Sequence, residues 1–365
     1  MNAKKTNEKA SGFTLIEILI SLGIFGILLS VLYPTFDSVG DKVNELGDKQ
    51  AMTQKGQRVM DYVSEEFRLA GLFVGSSPSV TFCSESRATD SVMHEDGKPG
   101  DSDPLKQNDI VTILTSERIM TTKDDAPFLF ADLKAEMNES SIFVNVEKDY
   151  VSAITPASGL AGNAKAYITF DTLKPNTGRL VYQVTNFSAL QISVSPALAQ
   201  TVNKGSNAYL VVRKKFAIGD SRNLQVQRWT PYPADSPTEC KSDNQDLVSS
   251  HGTGTTVNGG VDGFEVEYTV WDAVQKKVWN PYTSKEEPRD ILKSNPANPN
   301  TDADLANIRA ITFWVLLRAD FPSKNYKNDT VYTLGTLGKV TKGPFNDNYR
   351  RLLMTRTVEV KNVRL

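Results

Sequence analysis

The chain has 365 residues, 41 Lys plus Arg against 43 Asp plus Glu, and a formal net charge of -2. That balance lacks the basic excess expected of a nucleic-acid binder, and a hydrophobic content of 39% excludes a protein that crosses a membrane many times. The length suits one anchoring helix followed by a large head with an ample core.

Residues 1–12 read as a polar leader, in which Lys4, Lys5 and Lys9 outnumber Glu8, leaving the rest of the chain near -4. Next comes Gly12-Phe13-Thr14-Leu15-Ile16-Glu17, followed by an apolar run from Ile18 to Tyr33. A helix of about 20 residues spans roughly 30 Å, enough to cross a bilayer core. Between Phe13 and Tyr33, Glu17 is the one ionisable group of consequence. A carboxylate there costs roughly 2–3 kcal/mol in lipid, so it marks a function. A secretory signal places its cleavage site after the apolar core. Here Gly12 precedes it, and a cut after Gly12 leaves the helix on the mature chain. A lone Glu in lipid gains when a second subunit presents a cationic amine; the plainer alternative is an anchor that happens to contain a Glu. The leader lysines predict a cytoplasmic N-terminus, with the head in the periplasm or its equivalent. That compartment permits disulfides. The two cysteines, Cys83 and Cys240, lie in turn-rich segments and form either one bridge or two separate thiols.

The helical pattern continues past Pro34. Phe36, Val39, Val43 and Leu46 fall at three- and four-residue intervals, and Val59, Met60, Val63, Phe67 and Ala70 resume the stripe. One long, interrupted helix is predicted from about Phe13 to Ala70, ended by Gly71 and Gly75. Its membrane half is 13–34. Its amphipathic half, 35–75, offers an apolar stripe to the head. Pro34 removes a backbone donor and weakens the helix locally, while Gly23, Gly26, Gly40, Gly47 and Gly56 each cost about 1 kcal/mol against Ala.

The head, 76–365, reads as strands between long loops. Ser76 to Asn108 is turn-like, and the acids between Glu95 and Pro104 match no calcium-loop spacing. Strands are predicted at Asp109–Leu114, Ile142–Val146, Ala166–Phe170 and Arg179–Thr185. Ala208–Phe216 and Asn223–Trp229 form a hairpin around Gly219-Asp220-Ser221-Arg222. Pro231 to Gly260 reads as loop. Phe264, Val266, Tyr268 and Val270 alternate with Glu265, Glu267 and Thr269, the pattern of a half-buried strand. Asn280 to Thr301 is a further loop. Ile308–Arg318 is the most apolar run of the head and reads as a central strand. The last strand carries Val358 and Val360. The expected class is α+β, a long helix packed on an antiparallel β head.

Catalytic patterns are missing. The two histidines, His94 and His251, sit in no zinc spacing, and no nucleophile elbow occurs. Glu65-Glu66 and Glu286-Glu287 read as solvated faces. Trp229, Tyr232, Trp279 and Tyr282 flank polar loops and read as packing before they read as a sugar surface. The expectation is a protein that is not an enzyme, with no cofactor and no metal.

Gly12-Phe13-Thr14-Leu15-Ile16-Glu17 resembles the processing site of type IV prepilins and of the pseudopilins of type II secretion. The resemblance implies cleavage between Gly12 and Phe13 by a prepilin peptidase, N-methylation of Phe13, and pairing of Glu17 with a neighbour's N-terminus during assembly. It also gives Gly26 and Pro34 a meaning, as the limits of a segment that loosens in assembled pili; glycine that simply aids helix packing is the other reading. Three further stretches are similar to PilW-type minor pilins: Arg68-Leu69-Ala70-Gly71; Asn258 to Tyr268 followed by Ile308 to Arg318; and Tyr349 to Arg364. This implies a low-copy subunit in the inner membrane and then in the pilus. Its partners would be minor and major pilins, packed through the N-terminal helix, and conceivably a tip adhesin. Adhesion, twitching motility and DNA uptake are the implied outputs. The alternatives are a J-type pseudopilin and a tip adhesin module.

Overall fold

The structure, a computed structural model, describes residues 14–74, 92–95, 97, 107–118, 120–121, 129–130, 143–145, 166–171, 181–188, 191–195, 197–203, 206–230, 241–251, 258–272, 277–278, 308–324, 326–335 and 340–360. The chain divides into two compact units, 1–51 and 52–365.

The first unit contains, among the described residues, only the start of α1 (Leu15–Arg68), which runs through Pro34 as one element. The hydroxyls of Ser21, Ser30 and Thr35 donate to the carbonyls of Glu17, Ile27 and Val31 at 2.7, 2.7 and 3.0 Å. These polar side chains are thus satisfied within the helix, as an apolar surrounding demands. The predicted stripe from Phe36 to Leu46 is not buried: Phe36 is 72% exposed and Leu46 65%. Among the described residues no other element belongs to this unit, so within it no second element covers the stripe.

The second unit starts at Met52. There the stripe is buried as expected, at Met52, Val59, Met60, Val63, Phe67 and Ala70. The helix ends at Arg68 and turns through Gly71, whose φ of 73° suits glycine.

The strands are, in order, β1 (Val92–Glu95), β2 (Ile110–Arg118), β3 (Met120–Thr121), β4 (Leu129–Phe130), β5 (Phe143–Asn145), β6 (Ala166–Phe170) and β7 (Tyr182–Ser188). Next come β8 (Gln191–Ser195), β9 (Ala208–Ile218), β10 (Leu224–Thr230), β11 (Lys241–Val248), β12 (Ser250–His251) and β13 (Asn258–Gly259). The last are β14 (Val261–Asp272), β15 (Lys277–Val278), β16 (Ile308–Arg318), β17 (Tyr332–Leu334), β18 (Val340–Lys342) and β19 (Arg351–Glu359).

They pair antiparallel into a nine-stranded sheet around β9 and a four-stranded sheet ordered β15-β14-β16-β19. One edge of β9 takes β2; the other is shared by β6 and β10. The β9–β10 hairpin and the central position of β16 match the sequence reading. Two predicted loops do not hold. Residues 231–260 contain β11, β12 and β13, and residues 76–108 contain β1. His94 and His251 accordingly lie in strands, paired with Val111 and Asn258.

The core lies where both sheets meet the end of α1. The Phe67 ring stands edge-on to Phe216 of β9 and to Phe313 of β16, both at 5.4 Å. Ion pairs reinforce this packing. Lys214 of β9 donates to both oxygens of Glu66 at 2.8 Å, and Lys55 to both of Asp320 at 2.7 and 3.0 Å. Glu66 is therefore no solvated face, whereas Glu65 is exposed and pairs with Arg68.

Asn108 and Asp109 stitch the two sheets together. Phe264 N donates to Asn108 Oδ1 at 3.1 Å, Asp109 N to Phe264 O at 3.0 Å, and Val266 N to Asp109 Oδ2 at 2.8 Å. Asp109 Oδ1 also accepts from Gly97 N at 3.0 Å. These bonds occupy the edge of β14 that β16 leaves open. Burial, with the Asp109 charge, pushes the Tyr268 phenol well above its ordinary range.

The alternation of β14 is corrected by what covers it. Glu265 and Glu267 are 4% and 2% exposed. The β17–β18 hairpin lies over them: Leu334 and Val340 pack on Trp314, and a Cβ on Gly335 would stand 2.7 Å from Glu267 Oε1. Lys342 is buried alongside. Burial pushes its ammonium pKa down, against the charges of Glu265, Asp262 and Asp109.

Candidate assembly site

At the start of α1, Thr14 is the N-cap and Glu17 stands three residues on. Thr14 N and Thr14 Oγ1 both donate to Glu17 Oε2 at 2.9 Å, and Glu17 N donates back to Thr14 Oγ1 at 3.4 Å. Thr-x-x-Glu is a capping box, which satisfies orphan donors of the first turn reciprocally. The carboxylate also complements the positive end of the helix dipole. Glu17 therefore has a partner within its own chain. Thr14 was missed by a reading that saw only the carboxylate in an apolar run, although the signal, a Thr three residues before a Glu ahead of that run, is plain in the sequence.

From Leu15 to Tyr33 every large apolar side chain is exposed. The stretch is long and apolar enough to cross a membrane. Gly26 and Pro34 both lie inside the helix, and a Cβ added at Gly26 would meet nothing within 4 Å. This face is free for lipid or for other helices. Gly12, Phe13, Cys83 and Cys240 lie outside the described residues, as do Tyr232, Trp279, Tyr282, Glu286 and Glu287. Among the described residues no cluster of three His, Cys, Asp or Glu side chains is placed to hold a metal.

Residues 8–33 match the family model of the prokaryotic N-terminal methylation motif, which takes in the capping box and the apolar stretch. Residues 239–362 match that of the type IV pilus-assembly protein W, which takes in β11 to β19 and hence the whole four-stranded sheet. No curated protein and no solved structure matches the chain significantly. With the methylation motif at its apolar helix and the pilus-assembly match over its smaller sheet, the chain carries, over these two stretches, the signatures of a PilW-type minor pilin of type IV pili.

Proposed function

We propose that this subunit helps to start a type IV pilus, at or near the tip, and works by packing and not by turnover. A prepilin peptidase cuts between Gly12 and Phe13 and methylates Phe13. The mature chain waits in the inner membrane with its head in the periplasm, then joins other pilins through α1. The observation that carries this reading is one carboxylate, Glu17, at the head of an apolar helical stretch whose large side chains are exposed from Leu15 to Tyr33. In the monomer it caps its own helix; in the fibre it pairs with the amine of a neighbouring N-terminus, which offsets its cost in an apolar surrounding.

The deciding experiment is deletion of the gene with surface fibres and secreted proteins scored together. Loss of fibres with normal secretion is the expected result. Normal fibres with secretory cargo held back would make the chain a J-type pseudopilin. If neither changes while surface binding by the cells is lost, the head is an adhesin module.

A further inference from the structure

Strand β19 closes the four-stranded sheet on one side. Its inner edge is fully used: β16 pairs with it in unbroken register from Arg318 opposite Arg351 to Ala310 opposite Glu359. Two further bonds set the phase of the ladder. Ala319 N donates to Arg350 O, and Val360 N donates to Arg309 O, each at 2.9 Å. Hydrogen-bonded residues alternate in an antiparallel pair, so Leu352, Met354, Arg356 and Val358 face β16. The backbone N–H and C=O groups of Leu353, Thr355, Thr357 and Glu359 point the other way. Among the described residues these groups meet no partner, and Thr355, Thr357 and Glu359 are exposed.

From Leu353 to Glu359 this edge runs about 20 Å. In a strand of nine residues it has no Pro, no Lys and no bulge, and between Leu353 and Glu359 its one charged side chain, Arg356, is turned to Asp61 of α1. We propose that β19 accepts an extended segment of another pilus subunit as an added strand. The proposal rests on the assembly role argued above.

The surroundings state what the donor carries. At one end Leu352 and Met354 are half-buried against the core under α1, and Leu353 is half-buried beside Trp314 on the opposite face. A strand laid there covers both faces and is apolar on both. At the other end Arg356, whose side chain is 36% exposed, pairs with Asp61 of α1 and lies between Thr355 and Thr357. The donor residue beside it is acidic. A second copy of β19 fits less well, because it has no acid before Glu359 to set against Arg356.

Hydrogen exchange on the full-length chain tests this, measured alone in detergent and in the complex formed by co-expressed pilus subunits. The amides of Leu353, Thr355, Thr357 and Glu359 exchange freely in the chain alone and slow at least about tenfold in the complex, while those facing β16 are protected in both. Thr355→Pro removes an outward N–H that β16 does not use, and unlike Thr357, whose hydroxyl bonds that of Thr312 at 2.9 Å, Thr355 makes no side-chain bond to β16 among the described residues. It leaves the melting temperature of the chain unchanged and weakens the complex about tenfold. Free exchange at all four amides within a complex that does form overturns the strand proposal and leaves the assembly role standing. Absence of any complex overturns both. Protection in the chain alone, with doubled mass, assigns the edge to a second copy and overturns the donor from another subunit.

Discussion

Glu17 makes its contacts through Oε2, with both donors belonging to Thr14. The proposed pairing across subunits would therefore exchange one set of hydrogen bonds for another and would not expose a bare charge to lipid. Glu17→Ala should leave cleavage intact and reduce incorporation; the processed fraction by mass and the share in sheared fibres check this, and full incorporation of the mutant would sink the pairing. Asp109 is a structural counterpart in the head, buried and accepting from two backbone N–H groups. Leaving such donors unsatisfied costs about 1–3 kcal/mol each, so Asp109→Ala should lower stability by roughly 3 kcal/mol in denaturant unfolding. Asp347 supplies the pH test. Burial by itself would raise its carboxyl, but the Arg351 guanidinium, through hydrogen bonds and charge, holds it below the usual range, helped by Tyr349 N and Arg318. The stability it contributes is complete above the unfolded value of about 4 and is lost as pH falls through the lower folded value. The melting temperature of Asp347→Asn should accordingly fall less than that of the parent between about pH 5 and pH 3. Of these residues, Glu17 stands out in the sequence because its surroundings are local. Glu265 and Glu267 do not, because the hairpin that buries them lies far along the chain.

Strands β6 and β16 are readable because their own residues carry the signal, a short run rich in branched and aromatic side chains. Strand β11 is not. Lys-Ser-Asp-Asn-Gln-Asp-Leu-Val is mostly polar, and what makes it a strand is its ladder with β10, together with Asp246 accepting from Asn223 and Gln225 at 2.7 Å each. The helix shows the same division between local pattern and distant partner. Its 3.6-residue stripe is visible throughout, but a stripe is buried only where another surface exists. Phe67→Ala should cost about 3–5 kcal/mol, since it empties the junction of two sheets. Val43→Ala, at a position 60% exposed, should stay within about 0.5 kcal/mol in the isolated chain. Equal losses from the two substitutions would mean that the first half of the helix also has a packing partner in the monomer.

For the molecule as a whole, the α+β class was legible from the switch of hydrophobic period after Ala70, and the membrane-length segment from its composition. The division of the head into two sheets was not, because it depends on Asn108 and Asp109 acting as a strand edge for β14. Cys83 and Cys240 lie outside the described residues, and mass mapping without reductant should find them joined; two free thiols would exclude the bridge. The junction at Phe67 has one more consequence. A fibre that is pulled puts its subunits under tension through their helices. Met60, Val63 and Phe67 share one buried cluster with residues of both sheets and so bear that load together. Lys214 and Asp320 hold the same segment through Glu66 and Lys55. Force carried by the last turns of α1 therefore loads β9 and β16 together through Phe67.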